Sequence, residues 1–355
     1  MTQLEHLQVF DLILTVRTPL FIGSGTEYLK NEYLYQPFAK RVSILDQDAF
    51  FGMLASRNLV DAYERFILNG DRLDRFLKTD CGLSDEDIQK LVRYSVSAAD
   101  ALQEDKPLQG IKAFQRNAAG QAYVPGAGVK GALRTVYLAH CIQNDPARTG
   151  EFNETNYLHT LSCKPKRRED AVNSIFRGVQ VSDSIPLGDD AMILAGKYDS
   201  GTEGMVHQIN LCRECVRPGQ EIRMKLTLDQ SILKGRITKE ILLQSIREFS
   251  EYYHKTYVKH FKAPRLAGAE DGRGCLILGG GAGFFSKTLL YPYYGEQEGL
   301  ERAVNCFTQD RHYRRQCQTH KHEQDRQLGI SPHMLKYTKF NGQLYPFGMC
   351  EVQIE

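Results

Sequence analysis

Tyr123-Val124-Pro125-Gly126-Ala127-Gly128-Val129-Lys130-Gly131-Ala132-Leu133-Arg134 sets a short extended piece against a run of glycines and then a helical pattern. Glycine admits backbone angles that other residues resist, so Gly126, Gly128 and Gly131 predict a turn. From residue 132 to about 142 the apolar Leu133, Val136, Tyr137 and Cys141 recur on one helical face. Lys130 and Arg134 stand four apart, on a common face near the start of that helix. A glycine turn opening a helix exposes backbone N–H groups and the positive end of the helix dipole, an arrangement suited to a phosphate. The alternative is a tight turn whose glycines only permit close packing.

The spacing also matches G-x-G-x-x-G, but the dinucleotide fold needs a hydrophobic strand directly before it and an acidic residue about twenty positions on. Only Tyr123-Val124 precedes, and Asp145 and Glu151 follow a helix end instead of a second strand. Gly131 stands after Lys130 where a Walker A loop carries Ser or Thr, so a nucleotide-cofactor fold is disfavoured.

Outward from this motif the chain alternates strands and helices. Residues 8–17 read as a strand, closed by the turn at Pro19 and Gly23, and 32–45 as a hairpin. Residues 49–102 carry a helical pattern that resembles an insertion between strands. Residues 145–170 are polar, and 178–183 and 191–197 are strand-like. In the second half, 205–211 and 221–228 alternate as strands about Arg217-Pro218-Gly219. Residues 238–262 give the clearest helix, with Leu242, Ile246, Phe249, Tyr253, Tyr257 and Phe261 as its core stripe and Lys255, Lys259 and Lys262 beside it. Residues 335–340 and 344–354 read as strands about Asn341-Gly342. The expected fold class is α+β: two ferredoxin-like (RRM-like) units, the first over 1–200 with a helical insertion at about 46–115, the second over 201–355.

A second glycine run, Gly279-Gly280-Gly281-Ala282-Gly283, follows a buried-looking strand and leads to Lys287. So many glycines cost conformational entropy and call for a backbone that something approaches closely. Phe284 and Phe285 beside it suit either base stacking or core packing.

The 355 residues suit two domains, and 42% hydrophobic with 25% charged residues is a globular composition. No apolar run reaches the length of a membrane span, and the start has no basic-then-apolar leader, so the expected location is cytoplasmic. Nine scattered cysteines fit a reducing compartment. A net charge of +2 leaves any nucleic-acid binding to local patches. Four windows lack acidic residues altogether: 106–144 (with Lys106, Lys112 and Arg116 besides Lys130 and Arg134), 252–269 (with Arg265), 272–295 and 326–350.

The 123–134 segment resembles the "IPGSSLKGALR" stretch of the CRISPR RAMP superfamily, and residues 14–25 are similar to its first strand and turn. Within it, residues 278–290 and the tail at 335–340 are similar to the fifth-subunit family of the type III-A (Csm) interference complex. The resemblance implies two ferredoxin-like RAMP domains and a non-catalytic subunit. That subunit caps the backbone protein near the crRNA 3′ region and supports crRNA maturation in antiviral defence. Implied partners are crRNA, the backbone RAMP and the small subunit, and the family admits a recruited host nuclease; no cofactor and no membrane are implied. Carried over, the RNA-binding candidates are Gly126, Gly128, Lys130, Gly131, Arg134, Gly279, Gly280, Gly281, Gly283 and Lys287. Ala127 and Gly128 replace the serines common in relatives, which removes hydroxyl contacts there.

An alternative reading is a metal-independent endoribonuclease that processes precursor crRNA. It needs a histidine near the 2′-hydroxyl, and His140, His312, His320, His322 and His333 are available without a spacing that dictates catalysis. Cys212-Arg213-Glu214-Cys215 is the sole CxxC and would need two further zinc ligands. Asp183, Asp189 and Asp190 admit a metal only in principle, since Gly188-Asp189-Asp190 reads as a turn. The family's backbone paralogue cuts target RNA with a loop Asp, and residues 26–36 here hold Glu27 and Glu32 but no Asp. The expectation is therefore no catalytic and no metal residues.

Overall fold

The structure is a computed structural model that describes residues 5–36, 38–70, 72–98, 101, 110–262, 274–309 and 321–355. Its strands are β1 (Leu7–Val16), β2 (Gly23–Tyr28), β3 (Tyr33–Gln36), β4 (Arg41–Leu45), β5 (Val92–Ser97), β6 (Ile111–Phe114), β7 (Val179–Val181), β8 (Met192–Gly201), β9 (Val206–Val216), β10 (Glu221–Asp229), β11 (Leu276–Ile277), β12 (Met334–Phe340), β13 (Gln343–Pro346) and β14 (Met349–Ile354). The longer helices are α1 (Gln47–Ser56), α2 (Val60–Asn69), α3 (Gly126–Gln143), α4 (Lys239–Thr256) and α5 (Leu290–Gln309), the last broken at Gly295.

One five-stranded sheet has the order β11-β14-β1-β10-β7. Its pairings are all antiparallel, with Leu12 opposite Met224 and Leu14 opposite Val352. The chain runs β1, α3, β7, β10, α4, β14, which is one βαββαβ unit. Strict alternation builds it: Ile222, Met224, Leu226 and Leu228 are buried while Glu221, Arg223 and Lys225 are exposed. The buried face joins one core with Val129, Leu133 and Val136 of α3 and Leu242, Ile246 and Phe249 of α4. Thr238 starts α4, its hydroxyl accepting from the Ile241 amide at 3.3 Å. His140 of α3 meets Glu248 of α4 at 2.6 Å and fastens the two helices together.

A second sheet has the order β2-β6-β9-β8-β5-β4-β3, with β12 on β8 and β13 on β12. The α+β class is therefore the observed one. The expected division falls at residue 200. That position lies at the end of β8, which pairs with β9 along its length, and the first sheet takes β1 and β7 from one side and β10, β11 and β14 from the other. The expected insertion is helical only as far as Lys90. Val92-Arg93-Tyr94-Ser95-Val96-Ser97 then pairs with β4, because Tyr94 and Val96 alternate with polar residues at the strand period. The helices of the insertion have a small core of their own, including Leu45, Phe50, Leu54, Tyr63, Phe66 and Phe76.

The tail is also divided. β12 and β13 form a hairpin about Asn341 (φ 49°) and Gly342 (φ 76°), whose paired positive angles suit a two-residue turn. β14 leaves for the first sheet at Gly348, where a Cβ would lie 2.0 Å from the Leu278 carbonyl oxygen. Among the described residues no helix is long and apolar enough to cross a membrane.

Candidate nucleic-acid interface

The first glycine motif lies inside a helix, not before one. α3 begins at Gly126 with Pro125 as its cap. The weak helix propensity of glycine hides this start from the sequence pattern, which places it at Ala132. Gly126 is packed against the end of β7: an added Cβ would lie 2.2 Å from the Val181 carbonyl oxygen and 2.4 Å from that of Ser182. Its amide N–H donates to the Asp183 carboxylate at 2.8 Å. Gly128 and Gly131 differ. Both are exposed, and a Cβ at either would meet nothing within 4 Å. Each costs about 1 kcal/mol relative to alanine in a helix interior, and no contact among the described residues accounts for that cost. They leave a flat shelf of helical backbone flanked by Lys130, whose ammonium burial holds below its ordinary pKa. Arg134 is not free beside it, because its guanidinium pairs with Glu154 at 2.6 Å.

The second run is mostly structural. Gly279 (φ 80°) would place a Cβ 2.2 Å from the Phe21 carbonyl oxygen, and the Gly280 amide donates to that same oxygen at 2.7 Å. A Cβ on Gly281 would press into the Phe347 ring at 2.9 Å, whereas at Gly283 nothing lies within 4 Å. Phe285 is 1% exposed and stacks on Tyr257 at 4.6 Å, and Phe284 packs edge-on to Phe307 at 4.9 Å. Both rings are packing groups, not base platforms. Lys287 is exposed.

Windows without acid in sequence are not without acid in space. Lys259 binds Glu296 at 3.0 Å, Lys262 binds Glu203 at 2.8 Å, and Lys255 lies 3.6 Å from Glu251. Arg116 is buried over the Tyr94 ring at 3.6 Å and lies 3.8 Å from Glu214. Lys106 and Arg265 lie outside the described residues.

Excess positive charge gathers elsewhere, at residues that no sequence motif marks. Lys197 and Asp199 of β8, Arg213 of β9 and Lys336 of β12 converge beside the second glycine run. Lys336 stands directly opposite Asp199, and Lys197 Nζ donates to Asp199 at 2.7 Å. The Arg213 guanidinium lies between the rings of Phe21 (5.4 Å) and Phe347 (5.2 Å), the two rings packed against Gly280 and Gly281. Arg213 is 9% exposed, and its Nε and Nη1 have no hydrogen-bond partner among the described residues. Burial, then the cations Lys197, Arg213 and Lys287, hold the Lys336 ammonium below its ordinary pKa. Three cations, Lys197, Arg213 and Lys336, thus gather near the single carboxylate of Asp199. Buried charge in this excess calls for an anion.

The open face of the βαββαβ sheet offers no equivalent site. It carries Asp11 paired with Lys225 at 2.7 Å and Glu221 with Arg223 at 2.6 Å. Val9, Ile13, Thr15, Thr227, Gln180, Glu351 and Gln353 hold other positions of that face. The aromatic platform of RRM-type recognition is not among these residues.

The remaining sequence candidates resolve into other roles. Cys212 and Cys215, three apart on β9, point to opposite faces by the strand period. Burial raises the Cys212 thiol to about 12 and pushes Cys215 up as well. Between them Glu214 is 0% exposed; burial raises its pKa, and its carboxylate accepts from Tyr94 Oη at 2.6 Å and the Phe114 amide at 2.9 Å. Asp189 opens a single helical turn, Asp189–Ala191. His322 and His333 both contact Asp325, and His312 and His320 lie outside the described residues.

A profile of the RAMP superfamily matches residues 13–264. The chain belongs to the RAMP superfamily. This RAMP protein is 26% identical over 384 aligned residues to the "CRISPR system Cms protein Csm5" of Mycobacterium tuberculosis, with 98% of each chain covered. It is 24% identical over 301 residues to the Csm5 protein of Streptococcus thermophilus, with 80% of each covered. Its fold is similar to that of a chain in a cryo-EM structure of a Csm-crRNA-target RNA ternary complex of a type III-A CRISPR-Cas system. There the TM-score is 0.67 at 16% identity, over 97% of this chain and 100% of that chain. The crystal structure of T. onnurineus Csm5 is similar with a TM-score of 0.59 at 14% identity, over 96% and 99%. The likeness in fold to these two structures thus extends over nearly the whole chain.

Proposed function

We propose that the chain is a Csm5-type subunit of a type III-A CRISPR effector complex. In this reading it binds crRNA, caps the complex on the crRNA 3′ side beside the backbone RAMP and small subunits, and supports crRNA maturation without a nuclease centre of its own. The observation that carries the reading is the gathering of Lys197, Arg213 and Lys336 near Asp199, beside the Gly279–Gly283 run that leads to the exposed Lys287. RNA phosphates are the anions such a cluster suits. The exposed shelf of Gly128 and Gly131 with Lys130 supplies a second place where an RNA backbone can approach closely. Full-length relatives named Csm5 supply the assembly in which both would be used. The non-catalytic part is supported by the engagement of His140 with Glu248 and of His322 and His333 with Asp325.

The test is a binding and cleavage measurement on the purified chain with labelled crRNA precursor and no other subunit. Salt-dependent binding without cutting is expected. Site-specific cuts lost on His140→Ala would replace this reading with the endoribonuclease one. Absence of binding, both alone and in the reconstituted complex, would remove RNA contact altogether.

A further inference from the structure

Asp325 lies at the start of a short helix (Asp325–Leu328) and is 0% exposed. His322 precedes it on the turn His322–Gln324 and places Nδ1 3.0 Å from one carboxylate oxygen. His333, returned by the bend at Gly329 (φ 73°), brings its Nδ1 to the other oxygen. One donor atom from each of the three residues lies within 4.8 Å of the other two. The two histidine side chains are 11% and 18% exposed, so the group opens to solvent only narrowly.

The donors are held in place from outside. Tyr257 Oη lies 3.2 Å from the Pro332 carbonyl and 2.9 Å from that of Met334, on either side of His333. Tyr291 Oη donates to the Ser331 carbonyl at 2.8 Å and accepts from the Ser331 amide at 3.0 Å. Phe307 of α5 stacks on the His322 ring at 4.5 Å and 16°. Fixed imidazoles with supported orientation are what a metal site requires of its surroundings.

We propose that His322, Asp325 and His333 bind one zinc ion. With neutral imidazoles the three residues carry one net negative charge out of water, which a divalent cation offsets. Two imidazoles and a carboxylate form a three-ligand zinc set with one position left for water. Magnesium and calcium favour all-oxygen sets, and copper(I) favours sulfur. On binding, each imidazole turns an Nδ1 lone pair to the ion while its proton resides on Nε2, and Asp325 stays anionic. No electron transfer is involved. The ion would tie the turn at His322, packed on α5, to the residue preceding β12. That strand carries Lys336 into the basic cluster, so the metal is a fastening for the strand and not a reaction centre. The inference stands independently of which RNA the protein binds.

The test uses the full chain, stripped with chelator and dialysed against zinc or cobalt(II). One zinc per chain, a visible cobalt ligand-field spectrum and a zinc-dependent rise in Tm are expected. His322→Gln and His333→Gln, made separately, should lose the bound equivalent and the Tm rise while keeping the far-UV spectrum of the stripped wild type. Stripped wild-type protein that takes up neither metal would overturn the site whatever the variants do. So would variants that retain the full equivalent, or metal lost instead on Cys212→Ser or Cys215→Ser.

Discussion

The Gly126 amide donates to the Asp183 carboxylate at 2.8 Å, so the positive end of α3 already holds an anion supplied by the protein. An RNA phosphate at this helix would therefore lie along the exposed flank of its first two turns and not on its axis.

Asp183→Ala removes that cap. It should lower stability by about 1 kcal/mol, read as a shift in the denaturation midpoint at constant slope. RNA affinity measured in parallel should hold or rise, since a carboxylate leaves the neighbourhood of the shelf. A fall in affinity at unchanged stability would place a phosphate contact at the helix terminus after all.

The glycines of α3 should separate into two classes. Gly128→Ala and Gly131→Ala each fill open space and should stabilise the protein by about 0.5–1 kcal/mol while weakening RNA binding. Gly126→Ala drives a methyl into the Val181 and Ser182 carbonyls and should destabilise by at least about 2 kcal/mol. Thermal melts and a binding titration on the same preparations check both. Tighter RNA binding by the Gly131 variant would count against the shelf.

Lys336→Gln and Lys287→Gln should each flatten the dependence of log affinity on log salt by about 0.7 for every single-strand phosphate contact removed. Lys259→Gln and Lys262→Gln, whose parents are paired with Glu296 and Glu203, should leave the slope alone. Equal effects from both pairs would dissolve the distinction between paired and unpaired cations.

Burial raises the Cys212 thiol to about 12, so at pH 8 only about one part in ten thousand is thiolate. Alkylation of the native protein, followed by mass spectrometry, should mark the exposed Cys163 long before Cys212 or Cys215. Raising the pH toward 10 increases the Cys212 thiolate without reaching half-ionisation. Early labelling of Cys212 at pH 8 would mean that β9 opens readily.

What was legible in sequence was local. The alternation of Ile222, Met224, Leu226 and Leu228 and the stripe of Leu242, Ile246 and Phe249 predict their elements well, because each is a short-range period on one buried face. The α3 start was hidden by glycines that disfavour helix yet occupy two of its turns. Charge was the least legible property. Arg134 finds Glu154 and Lys262 finds Glu203 only through folding, while Lys197, Arg213 and Lys336 come from three strands with no motif in common. Arg213 even sits beside Glu214 in the chain, where strand alternation sends the two side chains apart.

The position of β1 between β10 and β14 bears on how the protein is made. Leu14 faces Val352, so β1 is flanked on one side by a strand that is translated long after it. Until β14 is made, Leu12 to Val16 presents unpaired backbone on that edge, an open template for another chain. Loss of β14 would therefore remove the partner of a central strand, and a product stalled before it should be marked by self-association more than by a local defect.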